Sequence, residues 1–184
     1  MRSCHRAVLS SVAMLLLSVT SGATPPFTNQ WGPFTGRVVE AETGQPIPGA
    51  IFVVIWLRNM TLPFQDVQRF NDARAAVADA GGSFEIPERN RPFLSSFVEP
   101  PNLICVAPGY APFEDVGAQH APMHIPLTPL PLSRRGPSAS WTETLGLIPE
   151  GRRTELGEII NARRRELGLA SIDFGAGNLE RGRK

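Results

Sequence analysis

Few residues of this chain are of a kind that carries chemistry, and they are thinly spread. Histidine occurs three times in 184 residues, cysteine twice, and lysine once, at Lys184. The densest group is "HAPMH", which holds His120, Met123 and His124. Two imidazoles and a thioether are ligands that suit copper in an exported protein. Spacing weighs against a single ion. Alternating Met123, Ile125 and Leu127 read as a strand, which puts the two histidines on one face but roughly 13 Å apart along it. Only a bend at Pro122 would bring them together. A catalytic zinc set is missing, because neither histidine stands in His-Glu-x-x-His and no cysteine pair is present. Nucleophilic catalysis has no better footing. There is no Gly-x-Ser-x-Gly, and Ser83, after Gly81-Gly82, belongs to a turn. Asp79 and the pair Glu114-Asp115 read as solvated turn residues. Cys105 lies in the apolar run "NLICVA" and reads as a small buried hydrophobe. The tryptophans offer a binding chemistry, since their faces stack on sugars. Trp56 sits inside an apolar run and belongs to a core. Trp31 and Trp141 lie at the edges of structure, as sugar platforms or as packing anchors. The inventory points away from an enzyme and from any bound cofactor.

The elements that would position these residues are legible from punctuation and periodicity. Residues 1–23 read as a signal peptide: Arg2 and Arg6, an apolar run from Ala7 to Val19, and the small residues Ser21-Gly22-Ala23. That run is shorter than the roughly 20 residues of a membrane span, and no later segment is long enough. Residues 24–32 form an irregular lead. "PFTGRVVE" is a first strand. Thr43-Gly44, Pro46 and Pro48 hold an extended turn before a strand over Ala50–Arg58, which is apolar on both faces. Such a strand must be covered on both sides. Asn59–Asp72 reads as a polar, irregular insertion. "ARAAVADAGGSFEIP" reads as a hairpin around Asp79–Gly82. Pro87–Pro101 is a second excursion. "NLICVAPGYAPFEDV" gives two strands around Pro108-Gly109. "APMHIPLTPL" is a last strand, placed at an edge because Pro122 and Pro126 lack an N–H.

After Ser133 the pattern changes. Residues 133–168 read as a helical extension, with Pro149 opening a helix, Leu156, Ile159, Ile160 and Leu167 at helical spacing, and Gly168 as its stop. Its apolar stripe needs cover, and so does the second face of the Ala50–Arg58 strand, so the two are expected to pack together. Residues 169–184 read as a flexible tail.

With the leader's two arginines set aside, net charge turns from +1 to −1, which argues against a nucleic-acid partner. From Thr24 to Ser133 there are 6 Arg against 10 Asp or Glu; from Arg134 on there are 10 basic against 7 acidic residues. A basic extension can fold back onto an acidic body.

Strands between Gly/Pro turns argue a mainly β protein, an antiparallel β-sandwich over residues 33–132. The residues carry a resemblance as well. "GRVVEAETGQPIPGAIFVV", "VADAGGSFEIP" and "ICVAPGYAPF" together are similar to the carboxypeptidase regulatory-like domain, a transthyretin-like sandwich. Gly36, Val38, Thr43, Gly44, Pro46, Gly49, Ala50, Asp79, Gly82, Phe84, Gly109 and Tyr110 follow its motifs in order. The long inserts and the helical extension depart from it. Members of that family are mostly accessory modules beside enzymes, receptors and adhesins, so the resemblance implies a fold rather than an activity. Catalytic relatives of the fold are excluded by residue type. Intradiol dioxygenases hold iron with paired Tyr and His, and this chain has one tyrosine, Tyr110. Hydroxyisourate hydrolases end in Tyr-Arg-Gly-Ser, and this chain ends in Arg-Gly-Arg-Lys. Pilin-type isopeptide bonds need a core lysine. The expectation is therefore a non-catalytic exported module of the cell envelope, periplasmic or extracellular, that binds a protein. A carbohydrate-binding module through Trp31 and Trp141 is the alternative. A metal-handling protein through His120, Met123 and His124 is the third.

Overall fold

The most apolar run of the chain, Ile51–Leu57, is rich in β-branched residues, which pack well on a pleated surface. A computed structural model, describing residues 30–62, 65–90, 98–116, 122–131 and 143–173, places this run at the centre of the protein. The expected signal peptide, His120, Trp141 and the last eleven residues lie outside the described residues.

The described residues are mainly β, with two sheets and one α-helix. In the three-stranded sheet β1 (Phe34–Glu40) lies in the middle, antiparallel to β4 (Ser83–Ile86) and parallel to β7 (Met123–Leu127). The four-stranded sheet has the order β3 (Gln65–Val77), β2 (Ile51–Leu62), β5 (Asn102–Val106), β6 (Phe113–Val116), antiparallel throughout. β7 is an edge strand, and Pro126 is confined there because it cannot donate to a ladder.

The sheets face each other across one apolar cluster. Phe34, Val38, Phe84, Ile86, Met123, Ile125 and Leu127 come from the first sheet, and Phe52, Val54, Trp56, Leu103 and Cys105 from the second. Burying each large side chain contributes about 1.5–3 kcal/mol. The alternate residues of β2 (Ile51, Val53, Ile55 and Leu57) turn to the other face. There they meet Leu145, Ile148, Leu156 and Ile160 in a second cluster. Leu145 belongs to a 3-10 turn, Glu143–Leu147, and the last two residues to helix α1, Glu150–Glu166. Over Ile51–Leu57 both faces of β2 are thus dry: one against the opposing sheet, one against α1 and the turn before it.

Helix α1 starts after Pro149 and ends at Leu167, with Gly168 left-handed at φ +71°. Arg152 reaches back to the body, donating to the Ala73 carbonyl at 2.8 Å and pairing with Asp72 at 3.6 Å. Of the helical stripe, Leu156 and Ile160 are buried, whereas Ile159 is 52% exposed.

Four expectations are corrected. Asn59–Asp72 is no irregular insertion: β2 runs on to Leu62 and β3 starts at Gln65, paired along their whole length. β3 is an edge strand whose outer half projects past the core. Ladder hydrogen bonds to β2 run along this half and Phe70 packs against the second cluster, so it lacks a sustained apolar alternation. The Asp79–Gly82 turn closes no hairpin, because β3 and β4 belong to different sheets. It is a corner between sheets, built by Asp79 Oδ1, which accepts from the Gly81 and Ser83 N–H groups at 2.8 and 2.9 Å. Gly82 there has φ +77°, and a Cβ on it would lie 2.5 Å from the Val38 carbonyl oxygen. The start of the tail is tied down. Asn161 exchanges two 2.8 Å hydrogen bonds with the Ile172 backbone, and Ile172 packs against the second cluster. Trp31, at the end of the irregular lead, is part of the core at 6% exposure.

Candidate functional site

The metal candidates do not converge. Met123 and His124 are neighbours on β7, so the pleat sends them to opposite faces: Met123 into the core at 4% exposure, His124 to solvent. Among the described residues no three His, Cys, Asp or Glu side chains gather as a metal set. His120 lies outside them.

Trp31 is not placed as a sugar platform. Its ring stacks on Trp56 with centroids 6.5 Å apart and planes within 7°. The Arg89 guanidinium lies over both rings, 5.7 and 5.1 Å from their centroids. Trp56 donates its indole N–H to the Gln30 carbonyl at 2.8 Å. Both faces of the Trp31–Trp56 pair are therefore engaged by the protein itself, and burial of an aromatic body outweighs its use as an exposed surface here. The signal that marks Trp31 as core is non-local, so the sequence could not supply it.

Cys105 is fully buried in the inter-sheet cluster, and burial alone pushes its thiol up to about 12. A neutral thiol is a poor nucleophile. Ser83 and His124 are both exposed on the three-stranded sheet, and both are in register with Arg37 between them. Two strand spacings separate them by roughly 9–10 Å. That gap keeps His124 out of reach of the hydroxyl, and Arg37 spends its Nε on the Gly81 carbonyl at 2.8 Å.

The concave feature of this side is an open groove of about 870 Å3. It is lined by Ala75–Val77 of β3, by Ser83–Glu85 of β4, and by Ile159, Ile160 and Arg163 of α1, and it extends to Arg37 and His124. Both β3 and β4 are end strands of their sheets, so the groove runs along two strand edges. Ala73 turns its carbonyl outward to Arg152. Two-residue alternation puts the backbone N–H and C=O groups of Ala75 and Val77 on the same outward edge. Ile159 supplies exposed apolar surface beside them. The groove mixes charges: Arg37, Arg163 and His124 against Asp79 and Glu85. Arg163 is balanced by Glu166 at 2.6 Å. The site therefore offers a backbone edge, an apolar contact and a mixed-charge rim, with no nucleophile, acid–base pair or ligand set. Five elements contribute to it. Of its residues Ile159 and Ile160 were marked by the helical stripe and Asp79, Ser83, Met123 and His124 by residue type, but no local pattern placed them together.

The fold-motif residues sit where backbone geometry needs them. Gly44, Gly49, Gly82 and Gly109 all have positive φ, from 69° to 84°. A Cβ on Gly36 would meet the Met123 carbonyl and the Phe84 ring below 3.0 Å. Thr43 donates its hydroxyl to Glu40 at 2.6 Å and accepts from the Gln45 N–H at 3.2 Å. Pro46 bridges to Val39, and Tyr110 donates its hydroxyl to Glu40 at 3.3 Å.

No protein-family model matches the chain, and no curated protein matches it.

Proposed function

We propose that this protein is a non-catalytic binding module that takes an extended segment of a partner protein into the groove between β3, β4 and helix α1. The observation that carries the reading is the outward edge of Ala75 and Val77 opening into that groove beside exposed Ile159. An extended peptide laid there gains main-chain hydrogen bonds from the edge, while alternate side chains pack on Ile159 or meet the charged rim. Edge strands left open invite such pairing. The module is exported and belongs to the cell envelope on the strength of the amino-terminal segment, and its fold is a transthyretin-like sandwich of the carboxypeptidase regulatory-like kind. The left-handed glycines and the Thr43 and Asp79 turns support that family reading, because each motif residue has a backbone reason to be where it is.

The test is affinity capture from a native envelope extract with the full chain, beside Ala75→Pro and Ile159→Glu. Proline at an outward-facing edge position removes one donor from the groove and none from the β2 ladder. A protein retained by the parent and lost by both variants, with their melting temperatures held, fits the proposal. Equal retention by all three refutes the groove as the docking edge.

A further inference from the structure

At the far end of the inter-sheet core, past Trp56, three arginines crowd one carboxylate, and a fourth bonds the residue before it. The β2–β3 register shifts here: Trp56 pairs with Asp72 but Leu57 with Phe70, leaving Asn71 as the extra residue of a bulge. The bulge makes room for Asn71 and Asp72 side by side. Asp72 meets Arg89 at 3.2 Å, Arg152 at 3.6 Å and Arg74 at 3.9 Å. Arg58 donates to Asn71 Oδ1 at 3.2 Å. The nearby carboxylates are already committed, Glu155 to Arg152 at 2.6 Å and Glu99 to Asn59 and Gln68.

One carboxylate cannot serve this many guanidinium groups, and the shortfall is visible atom by atom. Arg58 Nε, Asn71 Nδ2 and Arg89 Nη1 are buried donors with no acceptor among the described residues. The Arg89 guanidinium lies over Trp31 and Trp56, with its side chain 14% exposed. Burial and the like charges of Arg74 and Arg58 work against its cationic form, and Asp72 only partly offsets them. A buried, pre-oriented guanidinium with free N–H groups is the arrangement that recognises oxyanions through paired, charge-assisted hydrogen bonds. Asp72, at 23% exposure, and Arg74, at 36%, form the solvent-facing side of the cluster, whereas the three unpaired donor atoms are buried.

We infer that Arg58, Asn71 and Arg89 form a binding site for a small oxyanion, a phosphate or carboxylate group, seated beside the Trp31–Trp56 stack. The anion completes the hydrogen bonds of these three donors and neutralises the charge that Asp72 leaves over. The site is separate from the groove, so it stands or falls independently of the partner-binding reading.

The experiment is a titration of the full chain with inorganic phosphate, sulfate, acetate and chloride at constant ionic strength, read by calorimetry and by tryptophan fluorescence. Saturable phosphate binding that chloride does not reproduce is expected, with a fluorescence change from the rings under Arg89. Acetate against phosphate separates a carboxylate site from a phosphate site. Arg58→Gln is expected to weaken binding about ten- to a hundredfold, the loss for one hydrogen bond to a charged group. Arg89→Lys keeps the charge but loses the fork, and should weaken it as much. Arg37→Gln, on the outer face of the other sheet, should leave it unchanged. Because Arg89 packs on core tryptophans, Arg58→Gln carries the test if Arg89→Lys unfolds. Absence of saturable binding for every oxyanion, chloride binding equal to phosphate, or unchanged affinity in Arg58→Gln overturns the inference.

Discussion

Replacing Arg164 with alanine should undock helix α1 from the sheets. Arg164 sits in the last turn of α1 at 5% exposure. Its Nη1 donates to the Gly49 carbonyl, 115 residues away in sequence, and its Nε to the Ala170 carbonyl at 2.9 Å. It thus clamps the end of the helix to the turn before β2 and to the segment after the helix. Burial lowers the pKa of the guanidinium, so its desolvation cost opposes the two bonds. A hydrogen bond from a charged donor nets about 1.5–3 kcal/mol, and alanine also strands the carbonyl of buried Gly49, whereas exposed Ala170 can turn its carbonyl to water. Relief of the desolvation cost removes part of that sum. The expected loss is about 2–4 kcal/mol, the range in which breaking a buried charged network falls. Its neighbour Arg163 is the internal control. It is 51% exposed and pairs only with Glu166, so Arg163→Ala should cost no more than about 0.5 kcal/mol. Urea unfolding followed by the fluorescence of buried Trp31 and Trp56 measures both. A loss below about 1 kcal/mol for Arg164→Ala, or equal losses at the two positions, would refute the clamp.

Leu156→Ala and Ile160→Ala, both buried against β2, should each cost about 2–5 kcal/mol in the same assay, whereas exposed Ile159→Ala should cost under about 0.5 kcal/mol. Gly82→Ala should cost more than Gly44→Ala: both glycines have positive φ, but only at Gly82 does a Cβ meet backbone, and melting temperatures will rank them. Cys105 should resist thiol reagents until the protein unfolds, so its labelling rate should follow urea concentration rather than reagent strength. With its thiol at about 12 in the fold against 9.0 when free, the unfolded state loses its proton first. Stability should therefore fall as pH rises between those values, and Cys105→Ala should remove that part of the alkaline loss.

How much of this was legible beforehand depends on the range of each cause. Ile51–Leu57 is apolar at every position, and that alone demands cover on two faces, whatever supplies it. Pro126 names β7 as an edge because a missing N–H is a local fact. Leu156 and Ile160 carry a helical period, and Gly168 marks the stop. Only the second half of β3, Ala73–Val77, read as a strand; its first half was invisible because its register with β2 sustains it, and a ladder writes no pattern into one strand's side chains. The corner at Asp79–Gly82 has the residues of a hairpin turn, and only the sheet each strand joins distinguishes the two.

The same division runs through the sites. From its sequence the chain is set as mainly β, with glycine-dependent turns, a buried lone thiol and no zinc-protease or nucleophile motif, all matters of residue type and short spacing. Tertiary structure alone decides that Trp31 is core, that Met123 and His124 part company across β7, and that Ile159 stays bare beside the β3 edge. It also decides that Arg58, Arg74, Arg89 and Arg152 meet around Asp72. Those residues come from two strands, a loop and a helix. Their charges act on one another through a few ångströms of space, across separations along the chain that no local pattern encodes.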